Sequence, residues 1–242
     1  MVEKITREVI PLGIIGDSEV GKSDLSLVYI YDRYNEEIAA TLGFTCLIKD
    51  TIIKVNNIEK KIKIKIWDTS GVERARSISV QYCKNCLGII LVYSINNRDS
   101  LNSLENWIKE IKDKTYYEKV SLILIGNKCD LENERKVSKE EGEKFALKYN
   151  IKFFECSAKK NINVNQAFES LINDVVENYQ EEFINENDKR IKIEENNYKT
   201  QKEGCYGKKK KKEMKKSKLE VNNLSYINVF LTFNVYVTLF FI

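Results

Sequence analysis

The sequence predicts an α/β fold, a mostly parallel sheet of six strands with helices on both faces. Three observations carry this. Short runs rich in Ile, Val and Leu alternate along the chain with longer runs whose apolar residues recur at helical spacing. Several of the strand-like runs are apolar throughout, as strands covered on both sides must be. The polar clusters that stand out each follow directly on a strand-like run, and in open parallel sheets ligands bind at that carboxyl edge.

The elements follow in order. Residues 9–15 make the first strand; Pro11 inside it cannot donate to a ladder. Either the strand starts later or it faces a partner that needs no donor there. A helix over 22–32 places Leu25, Val28 and Tyr29 on one face. Between Arg33 and Phe44 no period is sustained, which reads as a surface loop carrying Tyr34, Thr41 and Gly43. Residues 45–55 and 60–67 are β-rich, and Lys61 to Ile66 alternate Lys with Ile as a half-buried strand does. Asn56 and Asn57 between them signal a hairpin turn. Next come a strand over 88–93 and a helix over 99–112 with Leu101, Leu104, Trp107, Ile108 and Ile111 at helical spacing. A strand over 120–125, a helix over 138–149, a strand over 152–155 and a helix over 164–179 complete the pattern. Ser138 is the N-cap of the third of these helices, with Glu141 at the capping-box position.

The totals bound the rest. With 242 residues, 43% of them hydrophobic, the chain holds one domain of ordinary size, 1–179, and further segments. Residues 180–218 read as a polar linker ending in the basic block 208–218, and 219–242 are apolar. With no His, His-based catalysis and His metal sites are excluded. The six cysteines show no recurring spacing and no secretory signal opens the chain, so reduced thiols in a cytosolic setting are expected. Cys83 and Cys86 have C-x-x-C spacing, but Cys46, Cys129, Cys156 and Cys205 offer no second such pair, and plain thiols are the reading.

Between the first strand and the first helix stand Gly16, Asp17, Ser18, Glu19, Val20, Gly21, Lys22 and Ser23, the G-x-x-x-x-G-K-S phosphate-cradling loop in the context it requires. The glycines let several N–H groups converge on one anion, and the helix from Lys22 through Asp24 adds its N-terminal partial charge. Lys22 can place its ammonium between β- and γ-phosphates, and Ser23 can ligate Mg²⁺. This loop alone does not choose between kinase, ATPase and GTPase. Asn127, Lys128, Cys129 and Asp130 sharpen the choice. A carboxylate at Asp130 can accept from the N1–H and exocyclic amino group of guanine, a donor pair that adenine lacks. Lys128 can lay its stem on the purine, Ala158 between Ser157 and Lys159 can offer its N–H to guanine O6, and Tyr34 can stack on the base. Asp68, at a strand end, can hold Mg²⁺ through water, and Gly71 can bring its N–H to the γ-phosphate.

These residues, in this order, resemble the Ras superfamily of small GTPases over about residues 9–179. Ile66 to Gly71, the Glu73–Arg74 pair, Tyr82 before Lys84 and Asn85, Asp17–Ser18, Ala39 to Gly43 and Asn161 to Val164 resemble the Rab branch. The resemblance implies a P-loop three-layer fold, binding of GTP and GDP with Mg²⁺, and GTP hydrolysis. Ser23 and Thr41 would hold the metal with Asp68 through water; Lys22, Thr41, Gly71 and the residue at 72 would serve hydrolysis. It implies two switching loops, from Tyr34 to Phe44 and from Thr69 to Tyr82, ordered by the γ-phosphate and released on its loss. An exchange factor, a TBC-type activator and effectors would read those loops on a monomer at the cytosolic face of an endomembrane, in vesicle trafficking. No nucleic acid is expected: one short lysine block beside an apolar segment suits a lipid surface.

The chain departs from that pattern at telling places. Val72 stands where most relatives have the Gln that orients the attacking water. Ser70 replaces Ala, and Glu19 replaces a small residue next to the phosphates, bringing negative charge near negative charge unless it points to solvent. Slow intrinsic hydrolysis is the expectation; the alternative is that a TBC-type activator supplies both an Arg and a Gln. Competing classes are a GTP-binding scaffold without turnover, favoured by Val72 and Glu19, and an ATP-using kinase, which must ignore Asp130 and Ala158. Phe44, Thr45 and Cys46 replace the branch's Val-Asp-Phe, Ala75 replaces an aromatic, and 41–67 is longer than usual, so the partners differ from those of a common Rab. The chain carries no terminal prenylation cysteine, and Cys205 is the only one in the tail. Three readings stand open: 224–242 as a tail anchor, at about 1.5 Å per residue near the ~30 Å hydrocarbon thickness; an incorrect exon end, with lipidation near Cys205; or a disordered end.

Overall fold

The computed structural model describes residues 7–34, 44–69, 76–115 and 119–184. Its centre is β1 (Val9–Ile15), whose last four residues are all buried. An interior strand covered on both faces needs apolar residues on both, which explains the missing alternation. Around β1 the sheet is ordered β2-β3-β1-β4-β5-β6, with β2 Phe44–Val55, β3 Ile58–Thr69, β4 Gly88–Ser94, β5 Ser121–Asn127 and β6 Lys152–Glu155. Every residue of β4 and β5 is buried. All neighbours run parallel except β2 and β3. The expected six-stranded, mostly parallel sheet is present.

Pro11 takes the second of the two options left to it. It pairs with Lys65 on the β3 side, and its carbonyl accepts from the Leu87 N–H (2.9 Å) on the other. Pairing with β4 begins only at Leu12↔Gly88, so no ladder acceptor waits for the donor that proline lacks. The β2–β3 turn is also as expected. Asn56 (φ 53) and Asn57 (φ 68) are both left-handed, the two-residue turn whose twist matches the strands it joins.

Among the described residues six α-helices cover the sheet: α1 Lys22–Tyr31, α2 Arg76–Tyr82, α3 Arg98–Asn102, α4 Leu104–Lys114, α5 Lys139–Tyr149 and α6 Val164–Asn178. One core joins Ile10, Leu12 and Ile14 to Leu25, Val28 and Tyr29 of α1 and to Phe168, Leu171 and Val175 of α6. Tyr29 and Phe168 stack at 4.3 Å between centroids. The opposite core joins Ile15, Ile89, Leu91 and Tyr93 to Val80 of α2 and to Leu104, Trp107, Ile108 and Ile111 of α4. The Ser138–Glu141 capping box forms in both directions, at 3.2 and 2.9 Å.

The single helix expected over 99–112 is two. The break falls at Ser103, whose hydroxyl donates to the Asp17 carboxylate (2.5 Å) and lies within reach of the Ser100 carbonyl (3.2 Å) as an alternative acceptor. A serine that bonds locally competes with the ladder, and apolar periodicity does not register that competition. At the far end, packing continues past the end of α6. A 3₁₀ turn, Gln180–Glu182, brings Phe183 and Ile184 into the first core. It is held by Arg7 Nε donating to Glu182 (2.7 Å) and by Gln180 Nε2 donating to Asn56 Oδ1 (2.6 Å). The rest of the linker, the basic block and the segment 219–242 lie outside the described residues. Among the described residues, no helix is long and apolar enough to cross a membrane.

Candidate nucleotide-binding site

The parallel strands β1, β4, β5 and β6 all end at one edge, and the loops that follow them converge there. The loop after β1 turns on two glycines that cannot be replaced. At Gly16 (φ +147) a side chain would begin 2.1 Å from the Val92 carbonyl oxygen of β4. At Gly21 (φ +88) it would begin 2.3 Å from Asn127 Nδ2. Glu19 is also left-handed (φ 63), at a cost of about 1 kcal/mol that Gly would not incur; it and Ser18 are exposed, while Val20 is buried.

Lys22 opens α1 with its stem buried and its ammonium donating to the Asp17 carbonyl (2.7 Å). Burial pushes its pKa down to about 8, against the pull of Asp68 and Asp17. Asp68, inside β3, is 4% exposed, and its Oδ1 is buried with no hydrogen-bond partner among the described residues. Burial raises its carboxyl; the Ser23 hydroxyl and the Lys22 ammonium oppose the rise. A bare, buried carboxylate oxygen beside a serine hydroxyl is a donor set that suits a hydrated divalent cation, so the residues present fit Mg²⁺. Asp24, next along α1, has its carboxyl raised by burial and drawn down by Lys128.

The base-side loops are stapled to this cradle. Asn127, at the end of β5 and 1% exposed, donates from Nδ2 to the Val20 carbonyl (2.9 Å) and accepts at Oδ1 from the Ala158 N–H (3.3 Å). Lys128 is left-handed (φ 66) and reaches back to donate to the Glu19 carbonyl (2.6 Å). Its stem therefore spans the gap between cradle and base loop. Asp130 Oδ1 accepts from the Ser157 hydroxyl (2.6 Å), which also accepts from the Lys160 N–H (3.0 Å). That fixes one carboxylate oxygen. Two left-handed asparagines, Asn161 and Asn163, shape the following turn, and Asn161 donates to Asp32 (2.6 Å) at the end of α1. Tyr34 is 39% exposed at the edge of its described segment. Thr41, Gly71 and Val72, with Ser70, Glu73 and Arg74, lie outside the described residues.

Two features escape a reading of the sequence. Asp17 does not aim its carboxylate into the cradle: Oδ2 accepts from Ser103 (2.5 Å) and Oδ1 from the indole N–H of Trp107 (2.8 Å). Trp107 is core, fully buried as its helical spacing suggested, yet its polar tip is spent on the phosphate loop. The second concerns Phe44. Cys46 lies opposite Trp67 in the β2–β3 register and Phe44 opposite Thr69, two residues further along the same face. Phe44 meets the ring of Tyr82 at 3.6 Å, with Trp67 6.0 Å from Tyr82. The aromatic that Cys46 lacks is thus supplied two residues away, a shift that the strand period of two allows.

Comparison with known proteins agrees with this geometry. A model described as Ras family matches residues 12–177. The chain is 43% identical over 164 residues to the Ras-related protein Rab-13 of Bos taurus, covering 67% of this chain and 78% of that protein. It is 43% identical over 165 residues to Rab-8A of Mus musculus and 42% identical over 166 residues to Rab-8B of Homo sapiens, covering 67% of this chain and 76% of each. The glycine-turned loop after β1, the buried carboxylate beside Ser23 and the fixed Asp130 at the same edge thus lie on a chain of matching sequence: the protein belongs to the Ras family, as a small GTPase of the Rab branch.

Proposed function

We propose that this chain binds GTP and GDP with Mg²⁺ at the edge described and serves as a switch in membrane trafficking. The observation that carries the reading is the staple of Asn127 Nδ2 on the Val20 carbonyl, at 2.9 Å, between the two ends of the site. It sets the Asp130 loop and the phosphate cradle of Lys22 side by side, as one guanine nucleotide requires. Asp130 recognises the guanine N1–H and amino group, Lys128 covers the purine, and Tyr34 closes over it. Ser157 and Lys159 hold the loop that presents Ala158. The N–H groups of 16–24 cradle the phosphates, and Lys22 neutralises charge between them. Ser23 and Thr41 would hold the metal, with Asp68 acting through water, and Mg²⁺ would supply positive charge to offset that of the phosphates.

Hydrolysis is slow without help. Val72 has neither donor nor acceptor to orient a water, and the exposed Glu19 adds a negative charge to the loop. Single-turnover phosphate release tests this: the wild type is slower than ordinary Rabs, and Val72→Gln raises the rate. A wild-type rate equal to theirs rejects it. A scaffold that does not turn over is the second reading, favoured by the same two residues. It predicts no phosphate release even with a cell extract as the source of activator.

The loops from Tyr34 to Phe44 and from Thr69 to Tyr82 would carry the nucleotide state to an exchange factor, a TBC-type activator and effectors, with Phe44, Trp67 and Tyr82 as the aromatic part of that face. The basic block 208–218 supports a place at the cytosolic surface of an endomembrane.

A further inference from the structure

The carboxylate of Asp17 is the one acidic group inside the phosphate loop whose partners are fixed. It lies between two donors from the α3–α4 junction, Ser103 Oγ at 2.5 Å and Trp107 Nε1 at 2.8 Å. Trp107 is fully buried and anchored in the core with Leu104, Ile108 and Ile111, so its N–H is a rigid donor. Asp17 also offers its carbonyl to the Lys22 ammonium, at 2.7 Å. Just before it, Gly16 presses its backbone against the Val92 carbonyl. A chain of contacts therefore runs from the core through one residue to the cationic group of the cradle: indole and hydroxyl to carboxylate, the same residue's carbonyl to ammonium. On the other limb the loop is held by Asn127 on the Val20 carbonyl and Lys128 on the Glu19 carbonyl. Without the Trp107–Ser103 contact only that limb would be braced. A carboxylate left loose there would also be free to turn toward bound phosphate, where like charges repel.

We infer that Trp107 and Ser103 are positioning residues: through Asp17 they hold the phosphate loop and the Lys22 ammonium in register for the phosphates, and so set how long a nucleotide stays bound. The inference rests on the nucleotide-binding reading above and adds to it a regulatory handle on α4. Because α2 packs against α4, that handle adjoins the end of the second switching loop.

The test is the dissociation rate of a fluorescent GDP from the full chain at a temperature where every variant is folded by circular dichroism. Trp107→Phe keeps the ring packing and removes the N–H; Ser103→Ala removes the other donor at little cost to the core. Loss of a hydrogen bond to a charged group corresponds to roughly tenfold or more. We expect Trp107→Phe to release GDP about tenfold faster, Ser103→Ala severalfold faster, and Asp17→Leu at least as fast as either. Asp17→Asn, which keeps an acceptor for the indole, should fall between wild type and Asp17→Leu. In a Trp67→Phe background Trp107 is the sole tryptophan, and its indole ¹H–¹⁵N resonance should move upfield in Asp17→Leu. Release at the wild-type rate from both Trp107→Phe and Ser103→Ala overturns the inference, even if their melting temperatures fall, since that pattern is a packing role only. Failure of the wild type itself to retain GDP overturns the nucleotide-binding reading and the inference with it.

Discussion

Asp68 is the residue with most to gain from a ligand. Its Oδ1 is buried without a partner among the described residues, and burial raises its carboxyl against the pull of Ser23 and Lys22. Burying its charge costs free energy that a neutral amide does not incur, so Asp68→Asn should raise the melting temperature of metal-free, nucleotide-free protein while abolishing the stabilisation that Mg²⁺ adds to the wild type. Differential scanning calorimetry with and without Mg²⁺ reads both. An unchanged Mg²⁺ effect in Asp68→Asn contradicts the metal assignment. At this scale the meeting of residues 16–24 with 127–130 and 157–159 was legible, because they lie in short runs whose spacing places each just after a strand. The Asp17–Trp107 bond was not. Its partners are 90 residues apart, and a Trp at helical spacing among Leu and Ile shows its apolar body and not its N–H.

Among the elements, α5 shows what local rules reach and what they miss. Ser138 and Glu141 announced its start, and the capping box is there. The same carboxylate is also gripped by Arg98 of α3, at 2.6 and 2.9 Å, a partner that no local pattern names. Arg98 first, and then the Ser138 backbone N–H, hold Glu141 down to about 2. A depressed carboxylate contributes stability that is complete above its ordinary value, near 4.5, and is lost as pH falls through about 2. Glu141→Gln keeps the cap but not the charge, so its melting temperature should fall less steeply than the wild type's between those limits. Equal slopes would remove Glu141 from the acid limb. The break at Ser103 and the shift of the aromatic from residue 46 to Phe44 have a common cause. Both are tertiary choices, the first made by Asp17 and the second by Tyr82, so helical and strand periods alone leave them open.

For the whole molecule the order of strands and helices was legible, because an apolar run that must be covered on both faces leaves few architectures. What the periodicity left out is the fastening of the domain's last turn. Phe183 and Ile184 enter the core after α6 ends, too short a stretch to show a period. The same architecture places the end of β3 and the loops after β1, β5 and β6 on one edge, and only there can Lys22, Asp68 and Asp130 act on one molecule. Whether they do is read most directly by displacing a fluorescent GDP from the purified chain in Mg²⁺ with rising GTP or ATP. A carboxylate that the base covers and that adenine would leave unpaired discriminates by roughly 10⁴-fold or more, so GTP should compete at near-stoichiometric concentration and ATP only at concentrations thousands of times higher. Displacement by ATP at concentrations similar to GTP would show that Asp130 does not face the base, and the proposed guanine-nucleotide site would be wrong.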